Sequence, residues 1–277
     1  MKFEMRRSHV SEVKQELIGV PSPHGFESPS SWISRAALSQ GVRVGELLHY
    51  FGASRLGDFD MGLSQKKAQV IADTCGISII HFDFSLKMFS TLRSIDQTGR
   101  NFLLAFDERY GRYRYCPGCL HHQRVKHFPL HWRFKTWRFC PIHQCLMEDR
   151  CLHCGSNITL SADMFHSGPQ KKGIAFLDRC LRCEQKLSAH WEKVQGLTAE
   201  DLLDDEAMHQ LLVGRFILSA LYHGHFFMKK SDRITKRKLS EILGLMHLGG
   251  TDRDWVGIDN RELLRRRTAR AGYPVED

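Results

Sequence analysis

The chain has 277 residues, 42% hydrophobic and 26% charged; that is enough apolar material for packed cores, and it excludes an intrinsically disordered protein. Its formal net charge of +9 favours nucleic acid or an acidic partner. No run approaches the ~18 apolar residues of a membrane span, and the opening MKFEMRRSHVSEVKQELIG lacks the apolar stretch of a secretory signal. These features predict a cytoplasmic protein with no membrane partner, whose cysteines serve metal or redox chemistry rather than disulfides.

Residues 1–29 read as an extended arm ending in VPSPHGFESP, where prolines, glycine and serines favour a turn. A helix is expected from Ser31, with Trp32, Ile33, Ala36 and Ala37 inward and Gly41 as its stop. Val44, Leu47, Leu48 and Phe51 give the stripe of a second helix. Ser64 caps a third that ends at Gly76, and Ser85 opens a fourth with Leu86, Phe89 and Leu92 inward. Short helices joined by glycine turns fit a helix-turn-helix bundle over 30–108, although periodicity alone fits any small helical domain. From Arg109 to 192 the texture changes to aromatics, basic residues and cysteines. Helical texture returns over 193–277. Thr198 and Asp201 form a loose capping box there, a last helix is expected over ITKRKLSEILGLMHL, and a basic tail carries RELLRRRTAR. The fold class is therefore mainly α, with tandem zinc-finger or zinc-ribbon modules of little β structure at the centre and a C-terminal helical domain.

Four cysteine or histidine pairs share a two-residue gap: Cys116/Cys119, Cys140/His143, Cys151/Cys154 and Cys180/Cys183. That gap lets both side chains of a pair turn toward one ion, and two such knuckles complete a tetrahedron of soft ligands suited to Zn²⁺. The simplest grouping is sequential, the first two pairs on one ion and the last two on a second, because short loops cost less closure entropy. Spacing alone also admits an interleaved arrangement. Two Zn²⁺ ions with four protein ligands each have no open position for water, so their role is structural. Cys145 breaks the knuckle register and reads as a buried small residue, and as the first substitute if His143 is not a ligand. Cys75 reads as core, and His121-His122 as a polar loop. No G-x-x-x-x-G-K-[ST], H-E-x-x-H or G-x-S-x-G occurs, and no catalytic triad is legible.

Residues 109–150 hold nine basic and two acidic residues. Arg112, Arg114, Arg124, Lys126, Arg133, Lys135 and Arg138 are the candidate contacts to nucleic acid or a protein partner. The aromatics between them read as the small core of a metal-pinned module.

The segments ESPSSWISRAA, YRYCPGCL, WRFCPIHQCLMEDRCLHCG and CLRCEQKL, in that order, resemble the TniQ/TnsD family of transposon target-selection proteins. The resemblance spans roughly residues 20–190 and also favours the sequential grouping. It implies a non-enzymatic bacterial adaptor, associated with the nucleoid. Such an adaptor recruits an AAA+ ATPase transposition regulator of the TnsC/TniB type, which in turn brings transposase to DNA. Some members read DNA directly and others dock on a CRISPR RNA-guided complex. Some relatives dimerise, so a homodimer is among the implied forms. The direct readers carry long C-terminal extensions, and only 193–277 follow the cysteine region here, so docking or general adaptor activity is the favoured expectation. Two other classes stay open. One is a stand-alone transcription regulator with a helix-turn-helix reader. The other is a zinc-stabilised nuclease drawing on His121, His122, His127 and Asn157.

Overall fold

The computed structural model describes residues 17–53, 57–104, 110–164, 176–189, 191, 205–230 and 233–242. The Thr198 capping box, residues 243–248 of the expected last helix and the basic tail lie outside the described residues, as do residues 1–16 of the N-terminal arm. The described residues are mainly helical with a few short strands.

Five helices come first: α1 (Pro29–Ser39), α2 (Val44–Tyr50), α3 (Phe59–Gly62), α4 (Gln65–Cys75) and α5 (Ile80–Ile95). The Ser28 side chain caps α1 by accepting from Ser31 N, and Pro29 occupies the first turn, where a missing N–H costs nothing. Ser64 caps α4, and Gly76 closes it in the left-handed region, as the sequence led us to expect. Helix α5 begins five residues before the expected Ser85. Ser85 donates to the Phe82 carbonyl inside the helix, while Phe82 packs edge-on to Trp32 at 5.0 Å. Burial of that Phe82 contact carries the helix back past its weak local signal. Trp32, Ile33, Ala36, Leu47, Phe59, Ile71 and Phe82 are among the members of one core.

A second core takes the other face of α5 and crosses the expected boundary at 108/109. It joins Met88, Phe89 and Leu92 to Tyr113, Tyr115, Phe128, Trp132 and Phe134. The interleaved aromatics are thus core, apart from half-exposed Tyr110. Strand β1 (Gly111–Tyr113) leads to α6 (Pro117–His122), the β2 (Phe139–Cys140) and β3 (Cys145–Leu146) hairpin, and β4 (Ile158–Leu160). Strands β1 and β4 pair antiparallel, Tyr113 opposite Ile158, which ties the two cysteine modules together.

Helix α7 (Asp205–His223) packs on α5 and β2 through residues that include Leu211, Ile217 and Leu221. Gly224, at φ 74°, then turns the chain into β5 (His225–Lys230), which pairs antiparallel with β6 (Arg233–Lys238). This corrects the helix expected from Ile234. Consecutive like charges and the β-branched Ile234 and Thr235 disfavour a helix there, and β5 supplies a partner for every residue of β6. The C-terminal region is therefore a helix plus a β-hairpin rather than purely helical among the described residues.

Candidate metal centres

The first centre grows from two dissimilar knuckles. Cys116 is the N-cap of α6, its Sγ accepting from Cys119 N at 3.4 Å, so both thiols face one side of the helix start. Cys140 ends β2 and His143 lies in the turn of the β2–β3 hairpin, where Gln144 takes a positive φ of 48°. His143 Nδ1 lies 3.5, 3.3 and 3.7 Å from the Sγ atoms of Cys116, Cys119 and Cys140, and Cys119 and Cys140 are 3.6 Å apart. A four-coordinate ion with bonds of about 2.3 Å to sulfur and 2.0–2.1 Å to nitrogen sets tetrahedral edges of about 3.8 Å (S–S) and 3.6 Å (S–N). The four side chains fit that ion.

The second centre uses two knuckles of one kind. Gly155 N donates to Cys151 O, and Glu184 N to Cys180 O, each at 2.8 Å; Gly155 and Glu184 take positive φ values of 70° and 62°. Cys151 and Cys183 stand 3.6 Å apart, as do Cys154 and Cys180. The Ser156 hydroxyl lies 3.1 Å from Cys154 Sγ and 3.2 Å from Cys180 Sγ, placed to donate to a thiolate. The eight ligand candidates thus gather in two groups of four, each able to hold a metal ion. That is the sequential arrangement. Cys145 is buried, opposite Cys140 on the hairpin, and its sulfur lies 3.6 Å from Cys116 Sγ, behind the ligand set.

His143 is supported from three sides. Its Nε2 meets His122 Nδ1 at 3.1 Å, and the Trp191 ring stands edge-on at 4.9 Å. Beneath it lies Gly118, where a Cβ would fall 2.6 Å from His143 Cδ2 and 2.9 Å from Trp191 Cε2. Glycine in the C-P-G-C knuckle therefore makes room for the fourth ligand. Gly118→Ala is expected to push the imidazole aside and weaken the first centre by ten- to a hundred-fold. The second centre should be spared, so bound metal under a competing chelator should fall from two ions per chain to one.

The basic residues of this region do not form one open patch. Arg133 is fully buried: its Nη1 donates to Asp58 Oδ1 at 2.8 Å and Asp60 Oδ2 at 3.0 Å. Its assignment as a surface contact is thus corrected; an aromatic core with two carboxylates beside it drew the guanidinium inward. Arg114 donates to the carbonyls of Phe134 and Lys135 at 3.1 and 2.8 Å, and burial, then the neighbouring Arg138, lowers its pKa to about 10. Lys126 donates to His121 O at 3.1 Å, and Arg112 pairs with Asp149 at 3.8 Å. Arg124 and Lys135 are exposed, and Arg138 is half-buried. The histidines weighed for a nuclease site serve elsewhere, His122 against His143 and His127 stacked on His24 at 4.8 Å.

His131 sits between Trp132 and Trp137, with ring distances of 6.5 and 4.6 Å. Burial first, then His127, pushes its pKa down to about 4 against an opposing pull from Cys140. A base with a depressed folded pKa contributes fully above its unfolded pKa, near 6.5, and that contribution is lost as pH falls toward 4. Some exposure of the ring edge softens the effect, so lowering the pH from 8 to 5.5 should cost about 1 kcal/mol through this residue. His131→Gln should remove that component, read as a smaller drop in Tm across the same pH step.

The fold and the centres define a class: a helical domain fused through a shared core to cysteine-rich modules able to hold two metal ions. Residues 19–147 match the family model TniQ, a match that supports membership of the TniQ family. The match covers α1 through β3, including all four residues of the first centre, and stops before the second centre, α7 and the β5–β6 hairpin. A search of curated proteins finds no match.

The functional residues that sequence reading missed are Asp58, Asp60 and Tyr113, which hold Arg133, and Gly118, His122 and Trp191, which seat His143. A glycine inside a two-residue knuckle was the one available signal, since only a close neighbour would demand it there.

Proposed function

We propose that the chain is a non-enzymatic TniQ-type adaptor for DNA transposition, linking target DNA or an RNA-guided complex to an AAA+ regulator that recruits transposase. The TniQ match across both the helical domain and the first centre carries this reading, since it assigns a transposition-associated family to the part of the chain that holds the shared core. The metals in this reading are two Zn²⁺ ions, for which S₃N and S₄ donor sets are suited. Four protein ligands at each ion leave no position for water or substrate, so zinc supplies folding energy rather than Lewis-acid chemistry. Helices α1–α5 act as the helix-turn-helix part, held at a fixed angle to the modules by buried polar contacts.

The test is a reconstituted insertion reaction with transposase, regulator and donor DNA. Adding the chain should concentrate insertions at particular sites, and omitting it should scatter or abolish them. An unchanged insertion pattern would reject the adaptor reading. No helix among the described residues is long and apolar enough to cross a membrane, and action on DNA in the bacterial cytoplasm is part of the same proposal.

A further inference from the structure

The sequence placed the candidate contacts to nucleic acid or a protein partner on the cysteine region, yet there Arg133, Arg114, Arg112 and Lys126 are engaged with the protein itself. The densest run of cations among the described residues lies elsewhere, on the β5–β6 hairpin. Its strands read HFFMKK and RITKRK, with Lys or Arg at six of twelve positions and no acid.

The register sorts the hairpin into two faces. His225 pairs with Lys238 and Phe227 with Lys236, so these four share one face, since cross-strand partners point the same way. Phe226 belongs to the other face; it is 3% exposed and packs against Phe216 of α7 at 5.5 Å. Arg237, opposite Phe226, pairs with Glu241 at 3.4 Å. The first face therefore looks away from the body. Phe227 is 57% exposed there, with the His225 ring against it at 5.3 Å, and Lys236 and Lys238 are exposed beside them. A large exposed aromatic framed by lysines contributes nothing to the core and is a contact composition.

We propose that this face of the hairpin is a duplex-DNA contact, with Lys236 and Lys238 on phosphates and Phe227 and His225 toward the groove. Charge complementarity selects the partner: the strand cations have one sign, as a phosphate backbone requires. Shape agrees, because two strands about 4.8 Å apart form a ribbon that a major groove about 12 Å wide admits, whereas the deep, narrow major groove of A-form RNA does not. Six residues per strand extend about 20 Å, the span of roughly a dozen phosphates. The hairpin lies outside the TniQ-matched segment, so it is a property of this chain's own C-terminal part. The inference rests on the DNA-linked function proposed above and names the surface that meets the DNA.

The test is fluorescence anisotropy of the full, metal-loaded chain with a 30-base-pair duplex over a salt series. Wild type should bind, with log K falling linearly with log salt. Lys236→Gln with Lys238→Gln should weaken binding at least ten-fold at low salt and reduce the slope by about two. Phe227→Ala should weaken it several-fold with the slope unchanged. Equal metal content and Tm in the variants show that the fold is intact; the milder single Lys236→Gln, expected to lower the slope by about one, serves if the pair misfolds. Wild-type affinity and slope in the glutamine variants would overturn the proposal. So would loss of regulator retention with DNA binding intact, which would assign the face to an acidic protein. Wild type that retains the regulator but does not bind duplex also overturns it, while leaving the adaptor reading standing.

Discussion

Stripping the metals with a strong chelator is expected to unfold the helical domain together with residues 110–191 in one transition. Structural zinc sites of this kind carry apparent binding energies of about 10–16 kcal/mol, far above the margin that holds an ordinary domain. The loss does not stop at the cysteine modules, because α1 is bonded into them. Ser28 N donates to Phe128 O at 3.0 Å, Phe128 N to Ser31 Oγ at 2.9 Å, and Ala162 N to Ser34 Oγ at 2.8 Å. Asp163 Oδ1 accepts from Val44 N at the start of α2. All these groups are buried or partly buried, and losing their partners costs about 1–3 kcal/mol each. Circular dichroism with limited proteolysis during chelation reads the outcome. The expectation is loss of helix and of protection across the described residues between 17 and 191, reversed by added Zn²⁺. A protease-resistant fragment over 17–104 that keeps its helicity would show that the helical domain stands alone.

Replacing Arg133 with methionine is expected to cost about 3–5 kcal/mol, the range for breaking a buried ion pair from one side. Here one guanidinium faces two carboxylates, Asp58 and Asp60, and the fully buried Tyr113 hydroxyl bonds both Asp60 and, at 2.9 Å, Ser28 Oγ. Burial raises the Asp60 pKa, the opposing attraction of Arg133 comes second, and the nearby Asp58 carboxylate adds to the rise. A carboxyl with a raised folded pKa favours folding at low pH and loses that contribution as pH rises through the folded value. Asp60→Asn should still be milder than Arg133→Met near neutrality: the surplus charge disappears, but both Asp60 oxygens accept, Oδ1 from Ser30 N and Oδ2 from Arg133 and Tyr113, so the amide NH2 meets one donor. Gly111→Ala is expected to resemble Arg133→Met, as its Cβ would lie 2.5 Å from Arg133 Cζ. Chemical denaturation of the three variants at pH 7.5 checks the order; an Arg133→Met cost below 1 kcal/mol would show that the cluster is not a tie.

Local chemistry was what the sequence made legible. Apolar spacing and the Gly41 stop located α1, the Ser64 and Gly76 caps located α4, and the repeated two-residue gap located all eight ligand candidates. Contacts between distant segments were not legible. In ESPSSWISRAA, Glu27 accepts from Ser31 Oγ at 2.7 Å and from Arg35 Nε at 2.9 Å, Trp32 fills the helical core, and Ser28, Ser31 and Ser34 reach across to the modules. The first string of the family resemblance is thus also the seam between the helical domain and the metal region. Arg133 looked like a surface charge because nothing in its neighbourhood names Asp58 and Asp60 as partners some 70 positions earlier. The β5–β6 hairpin was missed for a different reason. Its alternation is short, and its lysines, good helix formers taken singly, mask the strand preference of Ile234 and Thr235 until pairing with β5 is seen.

Under the proposed function, two closed metal centres build a rigid adaptor that would join an AAA+ regulator to DNA and do no chemistry itself. Its most direct test is co-purification of the tagged, zinc-loaded chain with that regulator in the presence of ATP, Mg²⁺ and duplex DNA. The regulator should be retained and the DNA recovered uncut. DNA cleavage by the chain with Mg²⁺, or failure to retain the regulator with or without DNA, would contradict it.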